Sequence, residues 1–332
     1  MPATRSIDRR AALIRLASGA AVLAGAAPLA HAQGNWPERP ITLVTPFGGA
    51  VDVLARLIAA DLGRRLGQSV VVEQKFGGSG TIGMAAVARA QPDGYVIGMG
   101  TTTSLTSAPH LIKSPGYDVE KSFTYLGLIQ TSRQVLTVSP KLGVNTLEEF
   151  IALAKSKPGA LNFGSSGVGN SIHLAVEQFN AAAGIRAVHV PYKTGNETDA
   201  AMMAGDVQYT IASLATSLPL IQAGRIRALA VTGEGRDPAL PDVPNLTEAG
   251  LSARIPEQLF GMVAPAPLPP AVSAKLLKAV ADMQADAAFQ ESVRRGGGVP
   301  TQVHGEAFRK VVLADSKTWG ELIKRLNITL NS

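Results

Sequence analysis

Short apolar runs that stop at glycine-rich turns and restart as amphipathic helices set the strongest limit on how this chain folds. Pro40-Ile-Thr-Leu-Val-Thr45 reads as a buried strand, and Pro46-Phe-Gly-Gly-Ala50 breaks it. Apolar residues then recur at helical spacing from Asp52 to Leu66 (Val53, Leu54, Leu57, Ile58, Leu62). Arg64 and Arg65 sit near the end of that helix and Gly67 stops it. Ser69–Gln74 predicts a second strand, Gly77–Gly80 its break, and Ile82–Ala90 a second helix. Tyr95–Met99 is a third strand, with Thr101–Ser104 as its loop. Such alternation predicts a mostly parallel sheet covered by helices on both faces.

The second half repeats the theme. Leu136–Ser139, Leu161–Gly164, Ala187–Val190, Tyr209–Ile211, Ala228–Val231 and Phe260–Ala264 read as strands. Thr146-Leu-Glu-Glu149 is a capping box that opens a helix to Lys155. Further helices are expected over Ile172–Ala183, from Asn196 to about Ala204, over Ala271–Met283 and over Glu306–Leu326. Residues 233–247, rich in Pro, Gly and Asp, read as a surface loop. The pattern contains no array of short repeats.

The first thirty-two residues have a different logic. Arg5, Arg9, Arg10 and Arg15 precede an uncharged run from Leu16 to Leu29, which ends in Ala30-His31-Ala32. A basic n-region, an apolar stretch too short to span a bilayer and a small-x-small site make a secretory leader, with cleavage expected after Ala32. Arg9-Arg10 leaves the twin-arginine route open beside general secretion. The chain carries a formal charge of +6, and the leader accounts for half of it. The remainder demands no nucleic acid. Cysteine is absent, which excludes disulfides, thiolate catalysis and Cys-ligated metals. The five histidines, at 31, 110, 173, 189 and 304, show no metal-ligand spacing. No cofactor is called for.

In open parallel sheets, ligands bind beyond the carboxyl ends of the strands. Four such ends carry Gly, Ser, Thr and Asn: residues 46–51, 101–104, 164–171 and 193–196. Small residues admit a ligand close to the backbone, and helix N-termini offer free N–H groups to anions. Together they point to a small anionic molecule, a carboxylate first of all. Two enzymatic readings compete. Gly78-Ser-Gly-Thr-Ile-Gly83 matches a dinucleotide fingerprint, but it follows the second strand, and no acidic residue ends the third. Ser165 or Ser166 with His173 would suit a secreted serine hydrolase, although Val168 breaks the nucleophile-elbow pattern.

Ordered segments along the chain carry a resemblance. They are Trp36-Pro-Glu-Arg-Pro-Ile-Thr-Leu-Val-Thr-Pro-Phe47, Asp52-Val-Leu-Ala-Arg56, Leu66-Gly-Gln-Ser-Val-Val-Val-Glu73, Gly80-Thr-Ile-Gly83 and Ala90-Gln-Pro-Asp-Gly-Tyr95. They continue with Phe163-Gly-Ser-Ser-Gly167, His173-Leu-Ala175, Val190-Pro-Tyr-Lys193, Leu240-Pro-Asp-Val-Pro244 and Glu248-Ala-Gly250. In their order and spacing the chain resembles the Bug, or tripartite tricarboxylate transporter receptor, family of periplasmic solute-binding proteins. The resemblance implies an α/β, two-lobe type II periplasmic-binding-protein fold, each lobe a mostly parallel sheet flanked by helices, with the cleft between them. Residues 33–132 with 258–332 would form one lobe and 133–257 the other.

It further implies no enzymatic activity, a periplasmic location, and a di- or tricarboxylate, acidic amino acid or aromatic acid as ligand. The expected partners are inner-membrane permease subunits or a periplasmic sensor domain, and the expected state is a monomer. Carried over by position, the ligand-binding residues would be Phe47, Gly48 and Gly49; Thr101 and Thr102; Ser165, Ser166, Gly167, Asn170 and Ser171; and Thr194, Gly195 and Asn196. Two departures stand out. The loop Phe47-Gly-Gly-Ala-Val-Asp52 is two residues shorter than usual. The place nine residues after Tyr192, often Asp in the family, is Ala201, with Asp199 as the nearest acid.

Overall fold

The computed structural model describes residues 36–253 and 255–329. The predicted leader lies outside the described residues. The first strand–helix units form as the periodicity requires: β1 (Ile41–Thr45), α1 (Ala50–Leu66), β2 (Val70–Gln74), α2 (Thr81–Arg89) and β3 (Val96–Thr101). Gly67 ends α1 in the left-handed region at φ 67°, with its N–H on the Gly63 carbonyl. Asp52 in the first turn and Arg64 and Arg65 in the last complement the helix dipole.

The stretch read as a loop after the third strand is different. β3 runs on to Thr101, and helical turns follow at once through Thr103–Ser107 and α3 (Ala108–Leu111). Then comes β4 (Phe123–Ser132), which the sequence reading left unassigned. Its run Phe-Thr-Tyr-Leu-Gly-Leu-Ile lies between β10 and β11, is covered on both faces, and so shows no alternation.

The chain continues through β5 (Gln134–Val138), α4 (Leu147–Ser156), β6 (Asn162–Ser165), α5 (Ser171–Ala183), β7 (Val188–Pro191), α6 (Gly195–Ala204), β8 (Tyr209–Ser213), α7 (Leu214–Gln222) and β9 (Arg227–Val231). It closes with β10 (Gln258–Pro265), α8 (Pro270–Ala285), α9 (Ala287–Arg295), β11 (Val299–His304) and α10 (Gly305–Leu326). The expected capping box is present: Thr146 Oγ1 accepts the Glu149 N–H at 3.1 Å, and the Glu149 carboxylate accepts the Asn145 N–H at 2.6 Å.

Two sheets result. One is six-stranded in the order β11-β4-β10-β3-β1-β2, and the other five-stranded in the order β7-β6-β8-β5-β9. Both are mixed, where the alternation suggested mostly parallel ones. β1, β2, β3 and β4 run one way, and β10 and β11 run against them. In the second sheet only β5 is reversed. The reversals follow from the crossings. Arg133 alone joins β4 of the first sheet to β5 of the second, and residues 232–257 lead from β9 back to β10. β10 inserts between β3 and β4, so the C-terminal part of the chain completes the first sheet.

Each sheet has its own core. Met84, Val87, Phe123, Tyr125, Val263, Phe308 and Val312 pack the first, with Tyr125 and Phe308 edge to face at 5.3 Å. Phe150, Phe163, Phe179, Tyr209 and Ile211 pack the second. Each such fully buried side chain contributes about 1.5–3 kcal/mol. Among the described residues no helix is long and apolar enough to cross a membrane.

Candidate functional site

At the edge of the first sheet, β1 ends in a turn pinned by Thr45, whose Oγ1 donates to the Phe47 carbonyl at 2.9 Å. Phe47 is half-buried, and Gly48 and Gly49 are exposed. Gly49 caps α1 at φ 63°, and a Cβ placed there would meet nothing within 4 Å. The Phe47 ring lies against Gly80, at φ 85°. A Cβ on Gly80 would stand 2.8 Å from Phe47 Cε2 and 2.9 Å from Ser104 Cβ. The ends of β1, β2 and β3 therefore converge on one glycine.

Thr101 and Thr102 are buried and occupied. The Thr101 N–H donates to Ser104 Oγ at 3.0 Å, and Thr102 Oγ1 accepts the Leu259 N–H at 2.8 Å. The second of these bonds ties β3 to β10.

At the edge of the second sheet, the loop after β6 folds on itself. Asn170 Oδ1 caps α5 by accepting the His173 N–H at 2.8 Å, while Asn170 Nδ2 donates to Ser166 Oγ at 2.7 Å. The Gly169 N–H donates to His173 Nδ1 at 2.9 Å. Gly167, at φ 121°, faces open space. Thr194 caps α6 by accepting the Glu197 N–H at 3.2 Å, and Gly195 also faces open space. Asn196 is exposed.

The structure thus gathers Ser165, Ser166, Gly167, Asn170 and Ser171 at one helix N-terminus and Thr194, Gly195 and Asn196 at another. Phe47, Gly48 and Gly49 stand at a third, and Thr101 and Thr102 are drawn into the interior. Helix N-termini with open glycines suit an anion.

The two edges meet where the chain crosses. Gln258 Nε2, at the start of β10, donates to Ser171 Oγ at 3.1 Å, and Ser132 and Ser213 share a hydrogen bond at 3.1 Å. Sequence reasoning missed Gln258, because a lone glutamine before a strand carries no motif. Two cavities flank this crossing. One, about 620 Å³, lies between α7, Asp237–Ala239 and Arg294–Pro300. The other, about 740 Å³, lies between residues 252–257, β4 and α10. Neither is lined by the strand-end loops.

The enzymatic readings find poor geometry. Ser165 is fully buried, and its Oγ lies 2.7 Å from His189 Nε2; His173 is not its partner. His173 instead accepts from Gly169 and stacks on His189. Burial, and then the neighbouring His173, holds the His189 imidazole down at about 4. In Gly78–Gly83, a Cβ on Gly78 or Gly80 would strike Thr81 or Phe47, so those glycines serve packing. Asp199 on α6 is only 7% exposed, and burial pushes its carboxyl up to about 6.

Comparison with known proteins follows the same line. The family model for the tripartite tricarboxylate transporter family receptor matches residues 54–328. A UPF0065 protein of Bordetella pertussis (strain Tohama I) is 32% identical over 305 residues, covering 91% of this chain and 94% of the relative. The structure of R. palustris Rpa4515 with adipate is similar at a TM-score of 0.79 and 33% identity, covering 89% of this chain and 99% of that one. That of the periplasmic binding protein BugD is similar at a TM-score of 0.76 and 32% identity, with the same coverage. The chain belongs to the tripartite tricarboxylate transporter receptor family of periplasmic binding proteins, and shares their fold.

Proposed function

We propose that this protein captures a small carboxylate, a di- or tricarboxylate or an aromatic acid, and presents it to inner-membrane permease subunits of the tripartite tricarboxylate type. The observation that carries the reading is the pair of helix N-termini at one sheet edge. α5 stands behind Ser165–Ser171 and α6 behind Thr194–Asn196, with open space at Gly167 and Gly195. Backbone N–H groups, hydroxyls and helix dipoles there can hold a carboxylate without an arginine. Gly48 and Gly49 at the start of α1 face the ligand from the other lobe. The lobes are residues 33–132 with 258–332, and 133–257. The leader is removed after Ala32, and the protein works as a monomer. Adipate in a neighbour that is 33% identical supports an acid as ligand.

The protein acts as a receptor and not as a catalyst. A serine-reactive fluorophosphonate probe therefore labels neither Ser165 nor Ser166.

The test of the main reading is a thermal-shift screen of residues 33–332 against carboxylates, adipate included, and their neutral amides. A ligand at 100-fold excess over its Kd adds about 2.7 kcal/mol, which is roughly 4 °C for a chain of this size. A shift for an acid and none for its amide is the expected result. Equal shifts, or none for any acid, would overturn the reading.

A further inference from the structure

One buried donor lies at the floor of the inter-lobe crossing without a partner. The carboxamide nitrogen of Gln134 makes no hydrogen bond, although the residue is 1% exposed. Register fixes its place. β5 pairs with β8 so that Gln134 opposes Ser213, Leu136 opposes Ile211 and Val138 opposes Tyr209. Opposed residues share a face. Leu136, Val138, Ile211 and Tyr209 all belong to the core beneath α5, so Gln134 and Ser213 continue that face to the edge where the ligand loops stand. Because β5 runs against its neighbours, its first residue lies at the same edge as the last residues of β6 and β8.

The hydroxyls at this edge hold partners of their own. Ser213 Oγ is engaged with Ser132, Ser171 Oγ accepts from Gln258, and Thr232 Oγ1 pairs with the backbone of Gln134 itself. The cap of α5 takes the His173 and Leu174 amides, which leaves those of Ser171 and Ile172 for another acceptor. An unpaired buried donor is destabilising, and an apolar side chain of the same length would escape that cost. The feature makes sense if the missing acceptor arrives from outside.

We propose that Gln134 is a ligand-binding residue whose side-chain N–H donates to an oxygen of the captured carboxylate, beside the N-terminus of α5. The inference rests on the carboxylate-receptor reading. It adds a contact from the crossing strand to the contacts from the loops. The donor has no use for a metal cation or an ammonium group, so it selects ligands that present an acceptor at this depth.

The experiment compares wild type, Gln134→Met and Gln134→Asn in thermal shift and calorimetry with adipate, malate, succinate and benzoate. Met keeps the length and removes the donor; Asn keeps the amide and withdraws it. Without added acid, both variants are expected to unfold within about 1 °C of wild type or above it, because no protein bond is lost. With the acid that shifts wild type, both bind roughly tenfold to a hundredfold more weakly, as for loss of one hydrogen bond to a charged group. Unchanged affinity in Gln134→Met would overturn the proposal. So would a clear fall of the unliganded midpoint in both variants, since the amide would then be structural. If wild type itself responds to no acid, the receptor reading fails first and the proposal falls with it.

Discussion

The imidazoles of His173, on α5, and His189, on β7, lie 3.8 Å apart and within 9° of parallel. Glu177 Oε1 approaches His173 Nε2 at 3.7 Å, while Ser165 Oγ holds His189 Nε2. In the folded protein His189 titrates at about 4, below the ordinary 6.5, because of burial and then His173. The unfolded chain therefore takes up a proton first as pH falls. His189 leaves stability untouched above pH 6.5 and erodes it between 6.5 and 4. Midpoints measured from pH 7.5 to 4 should fall more steeply in wild type than in His189→Gln. Parallel curves would show that the stack does not govern the acid response.

Asp199 has the opposite sign. Its folded carboxyl sits near 6 and its unfolded one near 3.8, so the folded state holds the proton more tightly. The residue costs stability above pH 6, and the cost disappears as pH falls toward 3.8. Asp199→Asn should raise the midpoint by several degrees at pH 8 and by little at pH 4.5. A lower midpoint at pH 8 would mean that the carboxylate is paired in solution.

Gly297, between α9 and β11, is pressed against the first turn of α7. A Cβ on it would fall 2.1 Å from the Ala215 Cβ, and its φ is 77°. Gly297→Ala should cost about 1–3 kcal/mol through strain and overpacking. Ala215→Gly in the same chain should recover part of that loss, since the Ala215 Cα would remain only 3.0 Å away. Additive losses in a double-mutant cycle would show that the two elements do not touch in solution.

Ala201 stands where the family resemblance leads one to expect Asp. It is buried with Met202, Val207 and Ile226. A methyl group there offers nothing to a ligand ammonium. Calorimetry should find aspartate and glutamate binding at least tenfold more weakly than the best simple dicarboxylate, and tight aspartate binding would reverse this assignment.

Much of this architecture was legible in the residues. The strands β1, β2 and β6, the helices α1, α2 and α5, and the Thr146 cap each advertise themselves by periodicity or by a paired side chain. What escaped did so for several physical reasons. β4 is buried on both faces and shows no alternation. β11 contains Pro300 and lies at the sheet's edge, where a strand tolerates proline. The short α7 carries Pro219 inside it, and α9 follows α8 with only Asp286 between them.

The site divides the same way. Loops of Gly, Ser and Thr flag themselves, but whether a hydroxyl faces a ligand or the interior is decided by partners far away in sequence. Thr102 is consumed by Leu259, 157 residues on. Ser165 finds His189 and not the nearer His173, because the parallel pairing of β6 with β7 sets Phe163 opposite His189. Gln134 gave no signal at all: its interest lies in having no partner, which only the finished fold reveals.

The position of β10 governs the order in which the molecule can be built. The second sheet is one continuous stretch, from Gln134 to Val231, and has all its strands once that stretch is available. The first sheet is different, because β3 and β4 are neighbours in the chain but are held apart by a strand that comes over a hundred residues later. Until Gln258–Pro265 arrives, one edge of β3 and both edges of β4 are unpaired, and a nascent or clipped chain ending before it would expose those open strand edges. The sheet that the chain begins first is therefore the last to be completed.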